Sequence, residues 1–151
     1  MGEKRIIRPT SFQWDPHYAN NPSSLAVERN GLLCISGLSA TEFDPERGGY
    51  FIRTTNLVQQ IEVIFEKMQA IVREAGYAIQ DVVYTVDYAL QAALPEYRAS
   101  SKVRKKIFGS NKPVSVGILV EGIPNSAALL VVNAVAMSDG RKKTSVYSQE
   151  N

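Results

Sequence analysis

Few side chains of this chain are of the types that usually act as nucleophiles, bases or metal ligands. There is one histidine, His17, and one cysteine, Cys34, so we expect no zinc site made of the usual nitrogen and sulfur ligands. A Ser-His-acid triad would have to use His17, which lies in a proline-rich segment. No base that would activate a thiol accompanies Cys34, and we expect it to be a small buried residue. The sequence contains no phosphate-binding glycine loop and no His-Glu-x-x-His motif.

Two other groups of side chains allow a functional and a plain interpretation. The basic run Lys102 to Lys106, with residues 141–143, has the charge to contact phosphate. No aromatic stacking platform accompanies it, so we interpret it as a solvated helix face and a charged tail, which argues against nucleic acid as a partner. Trp14, His17 and Tyr18 could cap a pocket, but we favour a local lid over the edge of the core.

The elements that must position any site are organised around residues 113–136. This stretch reads as two strands joined by a Gly/Pro/Asn turn. Alternation places Val114, Val116, Ile118 and Val120 on one face of the first strand, and Ser115, Gly117, Leu119 and Glu121 on the other. The second strand is almost wholly apolar, so both of its faces should be buried. A small domain covers one sheet face with its own helices, and we therefore expect a partner on the other face, with sites at the seams of an oligomer.

The remaining elements complete an α+β pattern. A hairpin is predicted over residues 24–38 because Asn30-Gly31 is a strong turn signal. Residues 39–50 are predicted as a loop, 56–75 as a helix that begins at Asn56 and stops at Gly76, and 82–90 as a strand. Pro95 begins a second helix that Gly109 ends. The order predicts a mixed β-sheet with two helices packed on one face.

Length and composition set the broad class. With 151 residues, 44% of them hydrophobic and 21% charged, and a net charge of +2, the chain is expected to form one domain. We predict an irregular segment over residues 1–21, the domain over 22–138, and a polar, flexible tail over 139–151. A single cysteine, no apolar leader and no apolar run of ~20 residues predict a cytoplasmic protein without a membrane partner.

Five stretches, taken together in this order and spacing, resemble the reactive intermediate deaminase family, also called the YjgF family. The resemblance covers roughly residues 22–137. The stretches are Ser24–Val27, Leu33–Gly37, Ala75-Gly76 running into Asp81–Val83, Phe108-Gly109, and Pro113 through Pro124. The resemblance implies a homotrimer with a cleft between each pair of subunits and no metal or organic cofactor. Typical members use an arginine to grip the carboxylate of a small imine or enamine, and water hydrolyses the C=N bond to a ketone and ammonia.

The chain departs from the family pattern at the positions that bind substrate. The arginine of the Pro-Ala-Arg strand is replaced by Ser115, and a neutral hydroxyl cannot copy the charged two-pronged guanidinium. The acidic residue of the last strand falls near Leu130 or Val131, and the glutamine after Ser-Gly is Leu38. The remaining replacements are Ser23 for a tyrosine, Ser101 for an asparagine and Arg104 for an aromatic residue.

The candidate site residues follow from this comparison with the family. We assign catalytic roles to Ser115, Arg104 and Ser101, with the serines hydrogen-bonding the substrate or a water. Gly37 and Gly117 would let a ligand approach the backbone closely. For Arg104 we weigh a displaced positive charge against a solvent-facing member of the basic run, and favour the latter. The substrate-binding candidates are Ser23, Ser36, Gly37, Leu38, Gly117, Ile123 and Val131.

These assignments lead to one functional expectation and two alternatives. We expect a divergent enzyme that acts on a less acidic imine, enamine or carbonyl compound, by hydrolysis or by a condensation or cyclisation. The first alternative is a catalytically retired trimer that only binds or regulates. A ribonuclease role is the second, and no acid-base pair supports it.

Overall fold

Alternating apolar residues become strands, and an apolar stripe of helical spacing becomes the long helix. In the computed structural model, residues 2–9, 21–125 and 127–139 are described. The strands are β1 (Arg5–Ile7), β2 (Ala26–Arg29), β3 (Leu32–Leu38), β4 (Glu42–Asp44), β5 (Gly49–Phe51), β6 (Val82–Leu90), β7 (Val114–Val120) and β8 (Leu130–Met137). The helices are α1 (Leu57–Glu74), α2 (Leu94–Tyr97) and α3 (Ser100–Phe108). The lid predicted for Trp14, His17 and Tyr18, and the tail from residue 140, lie outside the described residues.

Six of the described strands form one sheet in the order β1-β2-β3-β8-β6-β7. Neighbours are antiparallel except β6 and β7, which are parallel. The mixed sheet predicted for an α+β fold is therefore confirmed. β7 and β8 follow one another in the sequence, yet β6 lies between them. The parallel pairing of β6 with β7 needs a long crossover connection, which α2 and α3 supply.

Local signals fix the turn and the helix ends that the sequence predicts. Asn30 and Gly31 have φ angles of 53° and 80°, as a tight two-residue hairpin turn requires. The side chain of Asn56 accepts a hydrogen bond from the Gln59 N–H at 3.0 Å, which caps α1. Gly76 follows α1 with a φ of 83°, a conformation that favours glycine. The chain therefore enters and leaves α1 where residue chemistry directs it.

The two faces of the sheet differ in what covers them. The helices cover one face, and a row that crosses all six strands of that face is buried up to β7: Ile7, Ala26, Ile35, Ala134, Thr85 and Ser115. The other, which we call the open face, carries a parallel row that is apolar apart from the thiol of Cys34 and the hydroxyl of Tyr84: Ile6, Val27, Cys34, Val135, Tyr84 and Val114. Val114, on β7, is 64% exposed.

The core lies between α1, α3 and the covered face of the sheet. Phe65 of α1 meets Phe108 of α3 edge to face, with ring centroids 5.4 Å apart. Burial of each large apolar side chain here contributes about 1.5–3 kcal/mol. Gln60 is a buried polar exception whose amide bonds the backbone oxygens of Thr54 and Ala127, and accepts from the Leu129 N–H, at 2.9–3.0 Å. It therefore ties the segment before β8 to α1.

The structure corrects several expectations. The N-terminal segment predicted to be irregular contains β1, because Ile6 and Ile7 extend the sheet beside β2. The loop predicted over residues 39–50 contains the β4–β5 hairpin, whose strands are too short for periodicity to register. The second helix is divided into α2 and α3. Cys34 is exposed rather than buried, because its position in β3 points to the open face. No helix in the described part of the chain is long and apolar enough to cross a membrane.

Candidate functional site

Ser115 stands at the edge of the sheet, on the face that the helices cover. The parallel register places it beside Thr85 of β6, and the Thr85 hydroxyl donates a hydrogen bond to the Ser115 Oγ at 3.1 Å. Thr85 is fully buried, whereas Ser115 is exposed because β7 is an edge strand of the sheet. Ser115 therefore connects solvent at the sheet edge to the polar groups beneath the helices.

Arg104 extends from α3 into this region rather than towards solvent. Its side chain is 17% exposed. It donates a hydrogen bond to the Thr85 Oγ1 at 3.3 Å and forms an ion pair with Asp87, and its guanidinium lies 5.3 Å from the ring centroid of Phe65. The interpretation that we favoured from the sequence, a solvent-facing member of the basic run, is wrong. The pattern of charges alone could not show the buried partner.

Asp87 is the partner, and it is 0% exposed on β6. Its Oδ2 accepts hydrogen bonds from Arg104 and, at 2.7 Å, from the hydroxyl of Tyr97. Its Oδ1 is buried and has no hydrogen-bond partner within the described ranges. An unsatisfied buried acceptor costs about 1–3 kcal/mol and more when it is charged. The Asp87 Oδ1 would therefore be stabilised by a hydrogen-bond donor.

Tyr97 of α2 covers Asp87 from the side of β7. Burial, with the hydrogen bond donated to Asp87 second, raises the pKa of Tyr97 to about 12, so the hydroxyl is neutral at ordinary pH. A β-carbon on Gly117, which pairs with Asp87 across the parallel strands, would lie 2.8 Å from this hydroxyl. Gly117 therefore leaves the space in which Tyr97 reaches Asp87.

We call Thr85, Asp87, Tyr97, Arg104 and Ser115 the β7 edge cluster. It contains one positive and one negative side chain, so its formal charge is zero. It offers a hydroxyl at the exposed edge and a carboxylate oxygen that lacks a donor. Such a set can hydrogen-bond a small polar ligand or a water. It is poorly suited to a free carboxylate, because Asp87 already neutralises the guanidinium of Arg104.

The other candidate residues from the sequence fall in three places. Ser101 is exposed on α3, about one helical turn before Arg104. Ser36 and Val131 are half-buried on the open face, and a β-carbon on Gly37 would come within 2.7 Å of the Val131 Cγ1 there. Leu38 lies in the hydrophobic core, Ser23 is exposed before β2, and Ile123 is half-buried between β7 and β8. The sheet thus separates the candidates of the open face from the β7 edge cluster.

Sequence reasoning did not propose Thr85, Asp87 or Tyr97 as site residues. A signal for Asp87 existed, since strand alternation groups it with Thr85 and Ala89, both of which are buried. A carboxylate on the covered face of a strand needs a partner. The sequence could not indicate which of the basic residues on the following helix would supply it.

A second partly buried cation, Lys67, lies outside this cluster. Its amino group donates to the backbone oxygens of Ser39, at 2.7 Å, and Thr41, and Thr41 Oγ1 accepts a bond from the Asn125 amide at 2.9 Å. Burial lowers the pKa of Lys67 to about 8, against a smaller opposing effect of Glu42. Lys67 thereby joins the loop between β3 and β4 to α1. No group of three or more acidic, histidine or cysteine side chains among the described residues is arranged to hold a metal ion.

The fold and the cluster define a class of protein. It is a small α+β protein with a polar cluster beside the exposed edge strand β7, and the open face of its sheet is mostly apolar. The family model described as Endoribonuclease L-PSP matches residues 15–138, and the chain belongs to this family, which is the Rid/YjgF family of the resemblance above. A RutC family protein of Pyrococcus horikoshii is 26% identical over 118 residues, 78% of this chain and 88% of that protein.

Solved structures of the same family share the fold. The Rid family protein YyfA of Yersinia pestis has a TM-score of 0.75 at 18% identity, covering 90% of this chain and 100% of that chain. RidA of an Antarctic Psychrobacter species has a TM-score of 0.71 at 20% identity, covering 89% of this chain and 99% of that one. At such identities the likeness concerns the arrangement of the backbone alone.

Proposed function

We propose that this protein acts on a small imine, enamine or carbonyl compound at the β7 edge cluster, within a cleft between the copies of a homotrimer. The observation that carries the proposal is the cluster itself. It gathers Ser115 and Arg104, two positions at which the family resemblance expects substrate contacts, with the buried Asp87. A chain that had lost its site entirely would be expected to fill this region with apolar side chains.

The separation of the candidates by the sheet supports a site between copies. Ser115 and Arg104 lie on the covered face, whereas Ser36, Gly37 and Val131 belong to the open face. A single chain cannot bring both groups to one small ligand. The edge of one copy placed against the open face of the next would do so, and would remove an apolar surface from water.

The reaction that we propose first is hydrolysis. Water adds to the carbon of the C=N bond, and the resulting carbinolamine loses ammonia to leave a C=O group, so that one imine and one water give one carbonyl compound and one ammonia. Ser115 would hydrogen-bond the substrate or the incoming water, because its hydroxyl is the exposed one in the cluster. A condensation or cyclisation would use the same contacts with a different nucleophile.

The preferred substrate should lack a carboxylate. A charge-assisted pair to an arginine contributes about 1.5–3 kcal/mol, and Ser115 cannot supply it. Arg104 does not replace it, since its charge is matched by Asp87. We therefore expect ammonia release from uncarboxylated imines, and little from the enamines that arise from serine or threonine.

An ammonia-release assay tests this proposal on purified protein, with imines that differ only in the carboxylate. Ser115→Ala should lower turnover of the uncarboxylated imine by about tenfold or more, which corresponds to the loss of one hydrogen bond to the reacting group. Ser110→Ala is the matched control, because Ser110 is exposed in the turn after α3. Robust turnover of the serine-derived enamine, or an unchanged rate in Ser115→Ala, would contradict the proposal.

The second candidate function is binding without turnover, and the apolar residues at the start of β8 favour it. The position at which the family resemblance expects an acidic residue falls near Leu130, which is fully buried, or Val131, which is half-buried, so no carboxylate base acts from there. Crystals soaked with small ketones and enamines separate the two functions. Ligand density beside Ser115 with product in the mass spectrum indicates catalysis, and density without product indicates a binding protein.

A further inference from the structure

Asp87 brings a carboxylate into a site where only one of its oxygens is used. Oδ2 accepts from Arg104 and from Tyr97, and Oδ1 accepts from none of the residues in the described ranges. A carboxylate has lone pairs for about four donors. Because the residue is 0% exposed, bulk solvent does not meet the remaining demand. The atom that would complete this site is therefore a hydrogen-bond donor.

The charges around Asp87 leave no free cation for an anionic ligand. Arg104 donates hydrogen bonds to Asp87 and to Thr85, and its guanidinium packs over the ring of Phe65. Tyr97 donates a neutral hydroxyl. An incoming carboxylate would meet the negative Asp87 with no unmatched positive charge, and an incoming N–H cation would meet an acceptor that has room for it.

A way to Asp87 exists on the side of β7. The residue beside Asp87 on that strand is Gly117, which has no side chain, and the atoms nearest to the position of a β-carbon there belong to the hydroxyl and ring of Tyr97. Tyr97 is half-buried on the four-residue helix α2. A rotation of this one side chain would move its hydroxyl away from Gly117 and open a path from the exposed edge towards Oδ1.

We propose that Asp87 selects a ligand whose nitrogen carries N–H groups and a positive charge, a protonated imine or amine without a carboxylate, with Oδ1 as the acceptor. This inference rests on the proposed function and names its substrate class. For an imine the balanced reaction converts one iminium cation and one water into one carbonyl compound and one ammonium ion. Asp87 stabilises the iminium, which is the form that water attacks, and the ammonium product keeps the same contact until it leaves.

The test compares two probes that differ only in the carboxylate, the cyclic imine 1-pyrroline and its 2-carboxylate. Calorimetric titration of the wild-type protein is done at a pH at which the ring nitrogens are protonated. We expect the uncarboxylated probe to bind at least about tenfold more tightly. Equal affinities, or tighter binding of the carboxylate, overturn this inference, and the proposed function still stands if ammonia is released from uncarboxylated imines and not from the serine-derived enamine.

The variant Asp87→Asn supplies the second arm, with Glu121→Gln as the matched control. Both remove one negative charge, but Glu121 is exposed beyond the end of β7. We expect Asp87→Asn to erase the preference for 1-pyrroline and Glu121→Gln to keep it. An unchanged preference in Asp87→Asn overturns the inference. If neither probe binds the wild-type protein and no imine releases ammonia, the proposed function fails, and the inference fails with it.

Discussion

Asp87 and Arg104 form a buried ion pair, and substitution of either residue alone is expected to destabilise the fold. Asp87 is fully buried, so removal of Arg104 strands a negative charge in the core, whereas replacement of both residues by apolar ones leaves no charge to solvate. The two positions are therefore expected to vary together.

A stability measurement checks this coupling. We expect Arg104→Met to lower the free energy of unfolding by about 3–5 kcal/mol, the usual cost of breaking a buried pair from one side. The double variant Arg104→Met with Asp87→Val should be more stable than the single variant, because no orphan charge remains. Urea denaturation of wild type, the two single variants Arg104→Met and Asp87→Val, and the double variant completes the cycle. Additive losses would mean that the two side chains do not interact.

The absence of a side chain at Gly117 leaves room for the Tyr97 hydroxyl beside Asp87. In Gly117→Ala the new methyl group would lie 2.8 Å from the Tyr97 hydroxyl, so the hydroxyl must move away from Asp87. Because the hydrogen bond to Asp87 helps to raise the pKa of Tyr97, we expect that pKa to fall from about 12 towards 10. NMR titration of tyrosine-labelled protein, with Tyr97→Phe to assign the signal, measures the shift. A pKa that stays near 12 would show that the hydroxyl keeps its place.

At the scale of elements, Lys67 makes the attachment of the β3–β4 loop to α1 depend on pH. Its pKa is lowered to about 8 in the folded protein, from an ordinary value of 10.5. Between these values the unfolded chain binds more protons than the folded one, so stability rises with pH. Below about 8 both states carry the charge, and the folded state bears the cost of burying it.

We therefore expect wild type to gain stability relative to Lys67→Met as the pH rises from about 8 towards 10.5. Denaturation midpoints of both proteins at several pH values give the difference, in which the titration of the tyrosines cancels. A difference that is constant with pH would mean that the ammonium loses nothing on burial, because its bonds to the Ser39 and Thr41 carbonyls compensate fully.

The sequence predicts best those elements that are determined by residues close together in the chain. The β2–β3 turn at Asn30-Gly31, the cap at Asn56 and the strand of residues 82–90 each depend on neighbouring residues, and each is found as expected. The contact of Asp87 with Arg104 joins two elements, and alternation along a strand carries no information about which basic residue will meet it. Strands as short as β1 and β4 give too few residues for a period.

At the scale of the whole molecule, the open face is the feature that requires explanation. Its row from Ile6 to Val114 presents apolar side chains, with one cysteine and one tyrosine, across six strands. The sequence indicated this surface, because alternation in the first strand of residues 113–136 places only Val114, Val116, Ile118 and Val120 on one face. What covers the face depends on surfaces of another copy, which periodicity within one chain does not describe. The trimer thus remains a proposal.

Assembly offers the test of that proposal. We expect light scattering to give the mass of three chains for the wild-type protein, and a smaller mass for Val135→Arg, because a buried unpaired guanidinium opposes burial of the open face against another copy. Val135 is half-buried at the middle of the row. Lys105→Glu, on the exposed side of α3, should leave the mass unchanged. A wild-type protein with the mass of one chain would reject the trimer.

The exposed position of β7 has a consequence for the nascent protein. Seven residues, Val114–Val120, hydrogen-bond to β6 along one side only, and their other side ends the described sheet. The strand is rich in valine and carries no charged side chain, proline or bulge that would discourage a foreign strand from adding to it. Until another chain covers this edge, we expect β7 of newly made chains to be open to pairing with strands of other chains, which leads to aggregation. Rapid dilution during refolding should therefore improve recovery of native protein, and crowding of unassembled chains should reduce it.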